Sequence, residues 1–570
     1  MTKPEKFQYS ESQLNFIADL RKRGWSWPQV CQEFNSKYNE NKEYDALRNA
    51  LSRAMSSASK SIGAADTKAG IGDIVKNHKK VTKHTYVVVA ATPSTEFAFI
   101  NGVAVPKTIT SVPAMKAIET YLDKNKKSSL VVIPMRAHVK AMENQPQTYD
   151  SEILKYRGNF ATELNINNNI KIFDAQLNPQ QINPTTGLHH IGGSGFLFSK
   201  EDSSGCIGRY VKNQRSSLII GHPKQMMEVI PNGKTSLPRI IHSTGTITTK
   251  QYLSNRMGRI AAEQHTLGGL IIDVMGDFFY VRQFQCNPET GEFVDLGTRY
   301  FASGKTSEER AVSLSLGDLH AGEHDEQSFD AAIDLINFLQ PEECFWHDIF
   351  TAKSISHHLI KKLVARLRLP PQFKTLEAEG KVCKDLLNRI ILESPEDTIH
   401  HIVGSNHNNH LTQYLDEQRY FKDDVNALLA HKLQVLYMEG IDPLRVLVDS
   451  KFDDPLRALF EPIESRFNWI DSSQDYWIEN VQHGEHGHQG IAGARGNKYH
   501  HYVAYGKATV GHAHQPSIYN GVYTNGTLTP YKLDYNNSQV INWLHAHTVQ
   551  YSGGHRQMIV EIDGVYKRED

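Results

Sequence analysis

An α/β fold behind a small helical head is what the sequence predicts, and three observations carry that expectation. Short apolar runs bounded by Gly, Pro, Asn and Ser recur from Tyr86 onward, and such runs read as buried strands. Amphipathic stretches at helical spacing alternate with them, as in Pro113 to Lys124 and Gln327 to Phe338. That alternation is the mark of a largely parallel sheet covered by helices. The first 56 residues, by contrast, carry helix caps and helical spacing but no strand-like run.

At 570 residues the chain has room for roughly two to four domains. With 39% hydrophobic residues, 22% charged residues and a net charge of −1, global electrostatics choose no partner. A nucleic-acid surface must then be a local patch. The five cysteines, Cys31, Cys206, Cys286, Cys344 and Cys383, are scattered and odd in number. This argues against a disulfide framework and for a reducing compartment. The N-terminus lacks the apolar core of a signal peptide, and the longest apolar stretch, Leu267 to Val281, is interrupted by Asp273 and Asp277. The expectation is a cytoplasmic protein with no membrane partner.

In chain order, residues 1–56 read as three short helices resembling a helix-turn-helix head. Ser10 with Gln13, and Ser26 with Gln29, form capping boxes. The third helix turns Tyr44, Leu47 and Leu51 inward and Arg48, Asn49 and Arg53 outward, a face suited to base or phosphate contacts. Residues 57–83 are small and polar, then basic through Lys79 and Lys80, and read as a tether able to touch phosphate. Residues 84–305 read as a separate α/β accessory domain. Its strands are expected at 86–91, 130–134, 217–220, 239–241, 270–274 and 292–296, with a hairpin loop at 287–291. The hydroxyl-rich run Ser243 to Thr249 reads as a turn between strands.

Residues 306–570 carry the chemistry. Of the 28 histidines, 20 lie after residue 300, and His beside Asp and Asn is how a metal site looks in sequence. The apolar run Ala311 to Leu316 reads as a strand, and Gly317 lets the chain turn at its end. Asp318 and His320 then stand at a strand's carboxyl end, where open α/β sheets place ligands. A second strand end brings His347-Asp348. Long helices are expected at about 353–368 and 374–393, and a third strand, 398–403, runs into Gly404-Ser405-Asn406-His407. His483-Gly484-Glu485-His486-Gly487-His488 and Gly511-His512-Ala513-His514 follow. The apolar approach Trp477 to Val481 favours His483 as the ligand of the fourth motif, with His486 or His488 as alternatives.

As an ordered set, these motifs resemble the calcineurin-like metallophosphoesterase superfamily, which includes SbcD-type nucleases and phage-encoded members. The resemblance implies a four-layer αββα catalytic domain over residues 306–570. It also implies two divalent metal ions, Mn²⁺ foremost, with Mg²⁺, Fe²⁺ or Zn²⁺ compatible with the same oxygen and imidazole donors. Carried over by position, Asp318, His320 and His514 would hold one metal, Asp348 would bridge, and Asn406, His483 and His512 would hold the other. His407 would act on the scissile phosphate. Two departures stand out. His347 occupies a position usually Gly, and Asn408 replaces the acidic residue that commonly orients the catalytic imidazole.

The head, the tether and the cationic loop containing Arg495 lean toward DNA as partner. The expected function is therefore a two-metal DNA phosphodiesterase, which the likeness to phage members would make a nuclease degrading host DNA early in infection. Two other readings stay open: a nucleotide or small-molecule phosphoesterase whose head docks a partner, and a DNA-binding regulator with a degenerate metal site. Homo-oligomer formation is also left open.

Overall fold

In the computed structural model of the protein, the described residues are 83–570 apart from 93, 95–96, 101–102, 138–148, 162–163, 168, 173–180, 183–215, 235, 253–255, 361, 534–535 and 569–570. Scattered positions between 10 and 47 are described as well. The chain divides into two compact units, Met1–Lys80 and Val81–Asp570.

In the first unit the capping box at Ser10 forms. The Ser10 N–H donates to Gln13 Oε1 at 2.9 Å and the Gln13 N–H donates to Ser10 Oγ at 3.3 Å. The helix Trp27–Tyr38 buries Val30 and Phe34, four apart on one face, against Ile17, Leu20 and Leu47. Arg48, Arg53, Lys79 and Lys80 lie outside the described residues.

The second unit is mixed α/β and is built on three large sheets. A four-stranded sheet runs Phe278–Gln285, Gly268–Met275, Lys83–Ala91, Ser128–Pro134, the last pair parallel. Its strands are apolar on both faces because both are covered: Val88, Leu270 and Ile272 enter one core, Val87, Val89 and Ile271 another. The Ser243 to Thr249 run is a buried turn whose hydroxyls satisfy one another, Thr248 Oγ1 lying 2.8 Å from Thr246 Oγ1 and 2.6 Å from Thr92 Oγ1.

One buried charge cluster ties this sheet to the hairpin after it. The Arg282 guanidinium donates to Asp273 at 2.6 Å and grips Asp295 with two bonds of 2.5 and 2.8 Å, all three side chains being 5% exposed. Arg282→Leu strands two buried carboxylates. It is expected to cost about 3–5 kcal/mol, read as a lower midpoint in denaturant unfolding.

The second sheet has ten strands, and its membership corrects the expected boundary at 305/306. Five strands come from the segment before it and five from Trp477–Thr524, joined where Met227 faces Ile518. The partition into an accessory and a catalytic domain therefore gives way to one unit with a shared core. Apolar patterning reveals strands but not which distant strand each one pairs with.

The third sheet positions the site. Its strands are β1 (Ser313–Ser315), β2 (Glu343–Trp346), β3 (Ile399–Val403), β4 (Asn468–Ile470), β5 (His545–Tyr551) and β6 (His555–Glu561), in the order β4-β3-β2-β1-β5-β6. β1 to β4 are parallel neighbours, while β5 and β6 are antiparallel. One face packs under the helices Glu326–Leu339, Leu376–Glu393, Ala427–Met438 and Pro443–Asp449. The other face places Ala546, Met558 and Val560 against Met227, Val229 and Ile518 of the ten-stranded sheet. A continuous helix over 353–368 does not form. Lys362 leaves helical geometry (φ −117°, ψ 83°) and splits the stretch into His357–Ile360 and Leu363–Leu367.

Candidate metal centre

Three parallel strands end side by side, so their following loops share one edge of the sheet. The pairing of β1 with β2 continues past both strands: the Leu319 N–H donates to the His347 carbonyl at 3.0 Å and the His320 N–H to the Asp348 carbonyl at 2.7 Å. That register fixes Asp318, His320 and Asp348 relative to one another before any side chain is considered.

The backbone then aims the side chains. His320, Asp348, His512 and His514 all have positive φ, at 48°, 46°, 69° and 55°. Left-handed geometry is unfavourable for residues with a Cβ and concentrates at functional sites. Gly317, expected to supply the turn after β1, serves differently. A Cβ there would lie 2.8 Å from the Thr527 nitrogen, so it permits close approach, and His320 makes the turn.

Two ligand sets result. Donor atoms of Asp318, His320, Asp348 and His514 all lie within 4.8 Å of one another, as do those of Asp348, His486 and His512. Asp348 belongs to both. His320 Nε2 and His514 Nε2 converge to 3.2 Å, His514 Nε2 is 3.0 Å from Asp318 Oδ2, and His486 Nε2 is 3.3 Å from Asp348 Oδ2. Asp348 Oδ1 and Asn406 Oδ1 are buried with no hydrogen-bond partner among the described residues. Polar atoms so placed cost free energy unless something binds them, and this donor set fits a metal ion. Asn406 follows β3 at the same sheet edge, beside His407.

Electrostatics agree with that fit. Burial opposes ionisation of Asp318, yet the hydrogen bond from His514 and the charge of His486 hold its carboxyl at about 2. Asp348, equally buried, is held well below the usual carboxylate range by His486 and His407. Burial pushes His320 down to about 3, and burial with His486 nearby pushes His512 to about 4. Both are therefore neutral imidazoles, ready to donate a lone pair. His486 differs: burial pulls it down, but the Asp348 carboxylate lifts it to about 9. An incoming cation would displace that proton.

His483 is a correction. Its Nε2 donates to Gln550 Oε1 at 2.9 Å and its ring stacks 4.7 Å from Phe345, in the core between sheets. Three residues later the Gly511 N–H donates to the His486 carbonyl at 2.8 Å, which anchors His486 beside the fifth motif and Asp348. The apolar approach that pointed to His483 marks a strand end whose next side chain continues inward. His488 stands further out, its ring 5.5 Å from that of His486.

The two departures from the family pattern find physical accounts. His347 is fully buried behind the centre, with Nε2 3.1 Å from Ser315 Oγ and Nδ1 3.4 Å from His486 Nδ1. Asn525 in turn donates to Ser315 Oγ at 2.8 Å. A hydrogen-bonded chain thus backs His486. Asn408 does not face His407. It accepts the Phe350 N–H and donates to the Val403 carbonyl, both at 3.3 Å, tying the β3 loop to the β2 loop. His407 is oriented instead by the Thr351 carbonyl, 3.1 Å from Nδ1. A carbonyl only accepts, so Nδ1 carries the proton. The His407 ring stands edge-on to His320, centroids 4.6 Å apart. Arg495 is exposed, and its charge acts on His512.

Gly511 is needed for its lack of a side chain. A Cβ there would fall 2.3 Å from Asp318 Oδ1 and 3.1 Å from His347 Cγ. Gly511→Ala is expected to weaken metal binding about 10–100-fold, the usual range for disturbing the supports of a ligand, as measured by metal titration of a chain that still melts cooperatively.

No protein-family profile matches the chain. Over 360 residues it is 33% identical to Protein A1 of Escherichia phage T5, a match covering 60% of this chain and 62% of that protein. The chain thus spans less than two thirds of its phage relative. A crystal structure of Chaetomium thermophilum Vps29 with a cyclic peptide, 10% identical, aligns over 36% of this chain and 88% of that one. Its TM-score of 0.20 carries no argument. What stands is a mixed α/β chain with a phage relative and a buried Asp/His cluster able to hold a metal ion.

Proposed function

We propose that the chain is a two-metal phosphodiesterase acting on DNA, with a catalytic region of the calcineurin-like kind. The observation that carries this reading is the sharing of Asp348 between two ligand sets. A carboxylate common to two cations about 3.5–4 Å apart is the arrangement of two-metal hydrolysis. Asp318, His320 and His514 would hold one ion, and Asn406, His486 and His512 the other. Mn²⁺ suits these oxygen and imidazole donors, as do Mg²⁺, Fe²⁺ and Zn²⁺. When bound, such ions acidify water and polarise phosphoryl oxygens.

The remaining work belongs to the chain. His407, with Nδ1–H held by Thr351, presents Nε2 toward the centre and, when protonated, donates to the leaving oxygen. The burial of Asp318, Asp348 and His486 excludes water from all but the open side, which strengthens every charge interaction there. Phage origin, supported by the T5 relative, accords with the expected attack on host DNA.

The test is incubation of purified protein with plasmid and linear DNA plus manganese, with and without chelator. Cleavage confined to the chelator-free reactions is expected. Intact DNA of every form under both conditions would sink the nuclease reading.

A further inference from the structure

The segment after Asp348 carries charge that the centre does not require. Between Asp348 and Glu377 there is no acidic residue, while Lys353, Lys361, Lys362, Arg366, Arg368 and Lys374 are basic. The chain as a whole is balanced, 62 basic against 63 acidic residues. Lys353 pairs with Glu323, and Arg366 with the buried Asp423. Lys362, Arg368 and Lys374 are exposed, with no carboxylate partner among the described residues, and His357 and His358 are exposed beside them.

The same surface is apolar. Val364 and Leu367 are 60% and 67% exposed. The Arg366–Asp423 pair fastens them to the turn that exposes Phe421 (65%), Val425 and Leu428. Phe421 leans on Tyr420, centroids 4.9 Å apart, and otherwise faces solvent. Of the nearby acids, Glu417 is paired with Arg419 and Asp416 accepts from the Tyr437 hydroxyl. The surface also adjoins the centre. Thr351, which orients His407, lies two residues before Lys353, and the His410 ring is 5.1 Å from that of His407 at the head of the helix leading to Arg419.

We infer that this surface binds single-stranded nucleic acid, with an unstacked base on Phe421 and phosphates on Lys362 and Arg368, and guides the strand toward His407. The inference rests on the phosphodiesterase reading and names the form of its substrate. An exposed ring among cations is how proteins hold single strands, because every unpaired base offers a π-face. A duplex keeps its base faces covered. Basic and apolar residues together also suit an anionic membrane, but a membrane site gains nothing from standing beside His407.

The experiment uses the full chain in chelator, so that nothing is cut, and measures anisotropy of a fluorescent oligo-dT, its duplex counterpart and anionic phosphatidylglycerol vesicles. The single strand should bind more tightly than the duplex. Phe421→Ala should raise Kd about 10-fold, and Lys362→Glu with Arg368→Glu should lower the log K against log salt slope by about two. Circular dichroism melting shows that the variants fold. Unchanged oligo-dT binding in both variants overturns the inference, as does preference for duplex or an effect confined to vesicles. Hydrolysis of a chromogenic phosphodiester by the unmodified protein with manganese is scored separately. Its absence overturns the phosphodiesterase reading, whereas the chelated binding curves decide the surface.

Discussion

Asp348→Asn is expected to empty the centre and stop DNA cleavage together. The substitution keeps the shape of the side chain and removes one charge, but that charge serves both ligand sets. It is also what holds His486 at about 9 against burial. Metal content by mass spectrometry should fall toward zero, and cleavage should fall by about 10²-fold or more, the scale of losing one well-placed electrostatic group. His483→Ala is the contrast, since His483 faces Gln550 and Phe345. It should retain its metal. A chain that kept full metal content with Asn at 348 would refute a shared carboxylate.

His407→Gln should give the opposite signature. Metal content stays at the unsubstituted level while the rate falls about 10²–10⁴-fold, the range for a lost general acid. The chemistry of the leaving group sharpens the test. If His407 protonates the departing oxygen, a diester that releases an acidic phenol needs it little, and the penalty should shrink on such a substrate. A penalty of equal size on DNA and on the chromogenic diester would assign His407 to binding instead.

Much of this centre is legible in the sequence because its ligands follow strands. Asp318, His320 and Asp348 each come directly after an apolar run, and parallel strands deliver their ends to one edge. Other features have no local signature. The choice of His486 over His483 depends on a backbone bond from Gly511, a residue that only the folded chain brings near. The support of His407 by Thr351 uses a carbonyl, which every residue possesses. The positive φ at His320 and Asp348 runs against residue preference, so propensity points away from it. The break at Lys362 likewise defeats a pattern that is helical in composition throughout.

The long reach of the sheets has a consequence for how the protein is made. β1 closes its antiparallel side only against β5, and the strand Met227–Ile230 waits for Ser517–Tyr519. Asp318 meets His512 across 194 residues. On a ribosome that adds about 5–20 residues per second, a nascent chain holding Asp318, His320 and Asp348 has no partners for them until the segment from His512 to Glu561 has emerged. An unfinished copy is therefore catalytically silent, and a chain cut short after Asn406 would carry half a centre on an open sheet edge. Translation itself becomes the arming step, which for an enzyme that degrades DNA keeps the hazard confined to finished molecules.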